Sequence, residues 1–413
     1  PRARTPRNRE IRIRLLRPEK AFPAPQLAEH LRRSRTSSPS SGELPTTLDA
    51  RVQAAAQGAL RSHLKSLKGN RVGNGAVLVL DNRTREVLAW VGSSDFFDEE
   101  SDGQVDGVLA RRQPGSALKP FLYGLALSKD FRASDLLKDM PTQTRDRFSP
   151  RNYDGKFHGL VRLREALACS YNVAAIRLAE KIGEDALLRL LLRAGFDSLD
   201  KPASHYGLAL ALGDGEVTLA ELANAYASIA AKGVWKPLRL NPATREGRGG
   251  VPRDRDPSAV PPRRLFSPQV SYLLAKILSD NSARAPAFGF SSPLDTPFPL
   301  AAKTGTSKDY RDNWAIGFTP EWTAAVWVGN FDGSPMAKVS GISGAGPILR
   351  DLAFNLWYAY GASEFERPRG IREVEICPLS GKLPGPRCPA AMPELFIGER
   401  TPTELCGLHA QVP

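Results

Sequence analysis

Three short strings constrain the fold of this chain more than any other feature: Ser116-Ala117-Leu118-Lys119, Ser170-Tyr171-Asn172 and Lys303-Thr304-Gly305-Thr306. To serve one site, they require a fold that brings a helix start, a tight turn and a late strand together. The first string offers a hydroxyl with a lysine one helical turn away on the same face. The second offers a hydroxyl and a side-chain amide. The third offers a cation and two hydroxyls around a residue without a Cβ. Such a set can perform serine acyl transfer, which needs an activated hydroxyl, a proton shuttle and a place for the oxyanion.

Each string is weak alone, and context selects the copies. Ser-x-x-Lys recurs at Ser62/Lys65 and Ser198/Lys201, and Ser-x-Asn recurs at Ser279-Asp280-Asn281. Ser116 follows the turn signal Gln113-Pro114-Gly115 and opens a segment with Leu118, Phe121, Leu122, Leu125 and Ala126 at helical spacing. That places Lys119 on a buried helix, where lysine is rare without a partner. Ser62/Lys65 reads as a solvated helix face, and Ser198/Lys201 as a polar loop. Ser279-Asp280-Asn281 reads as the C-terminal cap and turn of an apolar helix over 270–278. Ser170 lies in a turn between helical segments 163–168 and 173–179. There it is either a helix N-cap or a side chain facing a cleft, and the company of the other two strings favours the cleft.

These residues carry a family resemblance. Ser-x-x-Lys, Ser-x-Asn and Lys-Thr-Gly in this order form the known signature of penicillin-binding proteins and class A β-lactamases. From Thr46 to about Tyr360 the chain resembles the transpeptidase domain of class A penicillin-binding proteins, most of all the penicillin-binding protein 1C group. Supporting strings are Thr46-Thr47-Leu48-Asp49, Val217-Thr218-Leu219 through Asn224-Ala225-Tyr226, and Asp312-Asn313-Trp314 through Val328-Gly329-Asn330. The resemblance implies a D,D-transpeptidase that cross-links peptidoglycan stem peptides and is the target of β-lactams. It also implies an N-terminal glycosyltransferase half and a membrane anchor, neither of which this chain contains. A start at Pro1 without an initiator Met reads as a fragment or processed piece. The location implied is the periplasmic face of the bacterial inner membrane.

Composition fits one large packed domain with appendages: 413 residues, 41% apolar, with no run long enough to span a bilayer. The net charge of +13 comes from arginines scattered through the N-terminal arm and loops. Basic and aromatic residues are not interleaved on one face, which argues against a nucleic-acid partner. Residues 1–44 read as a linker arm, with Ile11, Ile13 and Leu15 alternating as in an edge strand and a flexible break from Ser37 to Gly42. Residues 45–360 read as the transpeptidase domain, and 361–413 as a cysteine-containing C-terminal segment. A helix from a Thr47 or Asp49 cap to about Lys68 precedes a hairpin of 76–80 and 86–91. Residues 116–231 are mostly helical, 240–264 a Pro/Arg/Gly-rich loop and 270–278 a helix. Strands over 299–304, 313–319 and 323–330 lead to a closing helix over 347–360. Strands at both ends with helices between predict an α+β fold. In it, an antiparallel sheet is covered by helices beside an all-helical subdomain, and the family fold agrees.

On this reading Ser116 attacks the carbonyl between two D-alanines, and Lys119 is the base. A free lysine titrates near ~10.4, so Lys119 must be lowered by burial and by a second cation. Lys303 is that cation; it is expected to stay charged and to hold the substrate carboxylate. Ser170 relays the proton, Asn172 orients the substrate amide, and the Thr304 and Thr306 hydroxyls add to carboxylate binding. Gly305 is expected to let substrate backbone lie against the strand. The backbone N–H groups of Ser116 and Thr306 form the oxyanion hole by family analogy. A β-lactamase is the rival reading, and its deacylating glutamate would have to come from Glu221-Leu222-Ala223-Asn224, where Glu221 lies outside the apolar stripe. A D,D-carboxypeptidase shares the site, and a penicillin-binding sensor would be acylated without transferring anything.

No cofactor is expected. Cys169 reads as a small buried hydrophobe. Cys377, Cys388 and Cys406 gather near the C-terminus with His409. A disulfide between two of them fits an oxidising compartment. A Cys₃His zinc site is the alternative, on the spacing of Cys406 and His409, although the Cys377–Cys388 gap is wider than usual. Free thiols are the third reading. The segment 371–413 resembles the start of the C-terminal extension of the 1C group.

Overall fold

The structure, a computed structural model, describes residues 24–33, 45–144, 149–241 and 260–409. The alternating strand expected at 11–15 and the break at 37–42 lie outside these residues. Helix α1 (Pro25–Arg33) precedes α2 (Ala50–Ser66), whose N-cap Asp49 accepts hydrogen bonds from the Arg51 and Val52 amides. The hairpin β1 (Asn74–Asp81) and β2 (Val87–Val91) follows. A 3₁₀ turn, Gly115–Leu118, leads into α3 (Lys119–Ser128).

The predominantly helical stretch contains a short hairpin that its periodicity did not reveal, β3 (Leu136–Asp139) with β4 (Gly159–Arg162). Then come α4 (Leu163–Ala168), α5 (Asn172–Ile182), α6 (Glu184–Arg193), α7 (Ala203–Tyr206) and α8 (Leu219–Ala230). Two-residue strands β5 (Val234–Trp235) and β6 (Arg263–Arg264) pair with each other, so part of the expected loop over 240–264 is strand. Helix α9 (Pro268–Leu278) starts at its cap Ser267. Asp280 caps a further helix, α10 (Asn281–Phe288), where a turn alone was expected. Strands β7 (Ala301–Thr306), β8 (Asp312–Phe318) and β9 (Trp322–Gly329), helix α11 (Ala345–Tyr360) and the hairpin β10 (Ile371–Ile376) and β11 (Met392–Ile397) complete the order.

The main sheet is antiparallel, with strand order β2-β1-β9-β8-β7. Both of its faces are covered, which accounts for the near-continuous apolar runs along β1, β2 and β9. Along β1, Val77 and Val79 pack with α2 and α11, while Leu78 and Leu80 join the core beneath α8. The predicted α+β architecture is the observed one: a helix-covered antiparallel sheet with a helical subdomain built from α3 to α7. The order leaves β7 on the sheet edge, beside the 3₁₀ turn. Among the described residues no helix is long and apolar enough to cross a membrane.

Candidate active site

The three strings meet where the edge strand, the 3₁₀ turn and the α4–α5 turn converge. A 3₁₀ helix has three residues per turn, so side chains at i and i+3 eclipse. The Lys119 N–H donates to the Ser116 carbonyl across that turn, which stacks the Ser116 and Lys119 side chains on one face. The turn is fixed from two sides. Trp314 Nε1 donates to the Gln113 carbonyl at 2.8 Å, and the Tyr226 hydroxyl donates to the Ala117 carbonyl at 2.6 Å.

Glycine at 115 and 305 lets the turn and the strand touch. Gly115 has φ +55°, and a Cβ there would lie 2.4 Å from the Thr306 carbonyl oxygen. A Cβ on Gly305 would lie 2.1 Å from the Pro114 carbonyl oxygen. The missing Cβ at Gly305 thus makes room for the protein's own turn.

Ser170 adopts a left-handed backbone, φ +63°, unusual for a residue with a Cβ. It does not cap α5; the residue at that cap is Tyr171, and it makes no side-chain cap bond. The capping is done by Asn152, whose Oδ1 accepts from the Asn172 and Val173 amides at 2.7 and 3.3 Å. Asn152 Nδ2 donates in turn to Asp139 Oδ2 at 2.7 Å. The Ser170 hydroxyl is left to the cleft.

Lys119 Nζ donates to the Ser170 carbonyl at 2.6 Å and to Asn172 Oδ1 at 2.7 Å, and lies 3.3 Å from Ser170 Oγ. Lys303 Nζ donates to the same Ser170 Oγ at 2.8 Å and to the Thr304 carbonyl at 2.9 Å. Both lysines are buried, 0% and 2% exposed. Burial first, and the charge of Lys303 second, hold the Lys119 ammonium well below the ordinary lysine range, against an opposing pull from Asp139. The expectation that Lys303 simply stays charged is also revised. Burial, helped by Arg284, lowers it to about 7.

On β7, the Ser307 amide donates to the Asp312 carbonyl of the neighbouring chain segment. Antiparallel alternation then turns the Thr304 and Thr306 amides toward the free edge. The Thr306 hydroxyl accepts from the Gly341 amide at 2.9 Å, so part of its bonding capacity serves the loop after β9.

The rival copies fall elsewhere. Ser62 and Lys65 are solvent-exposed on α2. Ser198 is bound by its hydroxyl and amide to Glu221 Oε1. The other oxygen, Glu221 Oε2, accepts from the Thr218 amide while Thr218 Oγ1 accepts from the Glu221 amide, which is a capping box at the start of α8. Both carboxylate oxygens are thereby used in structure. The spacing Thr218-x-x-Glu221 was a legible signal for this role. Asp280 and Asn281 belong to α10.

Cys169 is buried as expected, its Sγ donating to the Ala283 carbonyl at 3.2 Å, with burial pushing the thiol up to about 11. Cys377, Cys388 and Cys406 are free thiols, so the expected disulfide is not formed. They surround His409, and this group could hold a metal.

The description of the penicillin binding protein transpeptidase domain matches residues 75–353. The chain belongs to this penicillin-binding transpeptidase family. Residues 367–411 match the penicillin-binding protein 1A C-terminal domain. Penicillin-binding protein 1C of Escherichia coli strain K12 is 33% identical over 358 residues, which are 86% of this chain and 43% of that protein. Penicillin-binding protein 1A of Neisseria meningitidis is 33% identical over 273 residues, 64% of this chain and 33% of its own length. The chain therefore spans less than half of either relative. The crystal structure of penicillin-binding protein 1A from Haemophilus influenzae shares the fold at TM-score 0.76 and 19% identity, over 93% of this chain and 77% of that one. PonA1 from Mycobacterium tuberculosis in complex with penicillin V aligns at TM-score 0.65 and 23% identity, over 79% and 88%.

Proposed function

We propose that this domain is a serine D,D-transpeptidase that cross-links peptidoglycan stem peptides through an acyl-enzyme on Ser116. The observation that carries the reading is the convergence of Lys119 and Lys303 on Ser170, with Asn172 Oδ1 held on Lys119, beside the Ser116 turn. Neutral Lys119 takes the Ser116 hydroxyl proton as Oγ attacks the carbonyl between two D-alanines. The oxyanion develops at the Ser116 and Thr306 amides. As the C–N bond breaks, Lys119 returns that proton through Ser170 to the departing D-alanine amine. An acceptor amine then attacks the ester, passes its proton back along Ser170, and the proton ends on the Ser116 oxygen.

Lys303, with the Thr304 and Thr306 hydroxyls, holds the substrate's terminal carboxylate, and a bound carboxylate raises the lysine toward its charged form. Asn172 orients the substrate amide. The free edge of β7 suits an extended peptide, which can pair with it as an added strand. β-Lactams would enter as acylating mimics of the same peptide.

Three segments support a division of labour: 1–44 as an arm, 45–360 as the transpeptidase domain, and 361–413 as the start of an extension. The much greater length of the curated relatives supports a glycosyltransferase half and a membrane anchor acting with this chain at the periplasmic face of the inner membrane. The test is acylation by a labelled D-Ala-D-Ala thioester or ester substrate, followed by addition of a D-amino acid. Transfer to the amine supports transpeptidation. Release to water alone indicates a carboxypeptidase, and an inert acyl-enzyme indicates a sensor.

A further inference from the structure

The C-terminal segment is poorly equipped to hold itself together. Among its described residues the one regular element is the two-stranded hairpin β10–β11, and such hairpins are marginal alone. Few of its side chains are fully buried, chiefly Ile376, Cys377, Glu394 and Phe396. Beyond β11 the chain to His409 is tied back by an isolated bridge, Leu383 to Leu405, and by the Gly398 amide on the Gly370 carbonyl. Small modules of this kind commonly carry a disulfide or a metal.

Here the side chains of Cys377, Cys388, Cys406 and His409 point at one another, with all ligand atoms within 4.8 Å. His409 Nδ1 lies 3.9, 3.3 and 3.4 Å from the three sulfurs in turn. Tetrahedral zinc, with Zn–S near ~2.3 Å and Zn–N near ~2.0 Å, sets its ligand atoms about 3.5–3.8 Å apart. A disulfide needs about 2.05 Å between two sulfurs and would leave one thiol and the imidazole without a role. We propose that Cys377, Cys388, Cys406 and His409 form a structural Cys₃His zinc site that staples the C-terminal segment.

The surroundings suit that role. The Cys388 Sγ accepts from the Gly385 amide at 3.2 Å, a bond that favours thiolate. The Cys406 amide donates to the Leu383 carbonyl, which ties two ligand segments together by backbone. Four protein ligands close the coordination sphere, as structural sites do, and leave no open position for catalysis. The ligand loop is also docked: a Cβ on Gly381, φ +67°, would lie 2.0 Å from the Ser134 carbonyl oxygen of the transpeptidase domain.

The full chain, purified without added chelator, is expected to contain about one zinc by elemental mass spectrometry. Cobalt exchange should give a thiolate-to-cobalt charge-transfer band with the intense visible bands of tetrahedral geometry. Cys388→Ser and His409→Ala should each lose most of the metal while Ser116 still takes up labelled penicillin, which reports that the transpeptidase domain is folded. In the zinc-loaded chain Cys388 and Cys406 should resist alkylation and become reactive after chelation. A metal-free chain in which two of these cysteines are joined, or metal content unchanged in both variants, would overturn the proposal.

Discussion

Lys303 Nζ lies 2.8 Å from the hydroxyl of Ser170, a residue 133 positions earlier in the chain, and Lys119 Nζ donates to the carbonyl of the same residue at 2.6 Å. Ser170 is thus the junction of two buried lysine side chains. Their environments differ. Lys119 is surrounded by carbonyl and amide oxygens of the helical subdomain, and Lys303 projects from the edge strand. The two lysines are therefore suited to different work.

Lys119→Arg should lower the acylation rate by roughly 10²–10⁴-fold, the usual worth of a positioned base, because arginine cannot be neutral near pH 7. Lys303→Arg should keep a measurable fraction, since a cation remains for the carboxylate. Stopped-flow acylation by a penicillin measures both, and equal residual rates would contradict the division of roles.

The lowered value of Lys303, about 7, predicts an alkaline limb in the acylation profile. The cation is present below that value and is lost as pH rises through it, so affinity for a carboxylate-bearing substrate should fall above neutrality. Arginine stays charged throughout, so Lys303→Arg should move this limb to higher pH or remove it. Superimposable profiles for the two proteins would refute the assignment.

Asn152 should matter although it touches no reacting atom. Asn152→Ala removes the acceptor of two α5 amides and the link to Asp139. A lost cap costs about 1 kcal/mol. The variant should also acylate more slowly, because Asn172 and Ser170 lose their support. Urea unfolding and acylation kinetics report the two effects separately, and a variant unchanged in both would show the cap to be idle.

Arg164 and Glu394 join α4 to the C-terminal hairpin in an ion pair whose side chains are 8% and 0% exposed, with contacts of 2.6 and 2.8 Å. Removing one partner of a buried pair costs roughly 3–5 kcal/mol. Glu394→Ala should therefore release the hairpin to limited proteolysis and lower the thermal midpoint. Wild-type protection of the segment in that variant would rule out the tether.

Much of this was legible in the sequence. The periodicity after Ser116, the turn at Ser170 and the apolar strands leading to and from Lys303 placed the three strings on the right elements. Thr47 and Asp49 marked the start of α2, and Asp49 is its cap. What stayed hidden came from tertiary contact. Asn152 sits in an ordinary polar loop, and nothing local announces that it caps a helix twenty residues on. Trp314 and Tyr226 entered only as parts of longer family strings, yet their polar atoms hold the turn that carries Ser116. Gly305 reads as a concession to a ligand, whereas the structure fills its space with Pro114. The hairpin β3–β4 is too short for its alternation to stand out against the helices around it.

Mass mapping after incubation with a labelled penicillin locates the acylated residue, which is expected to be Ser116. A stable adduct is expected on the peptide containing Ser116. In Ser116→Ala it should vanish while the thermal midpoint is kept. Label on Ser62, Ser198 or Ser170, or label that survives in Ser116→Ala, would place the nucleophile elsewhere.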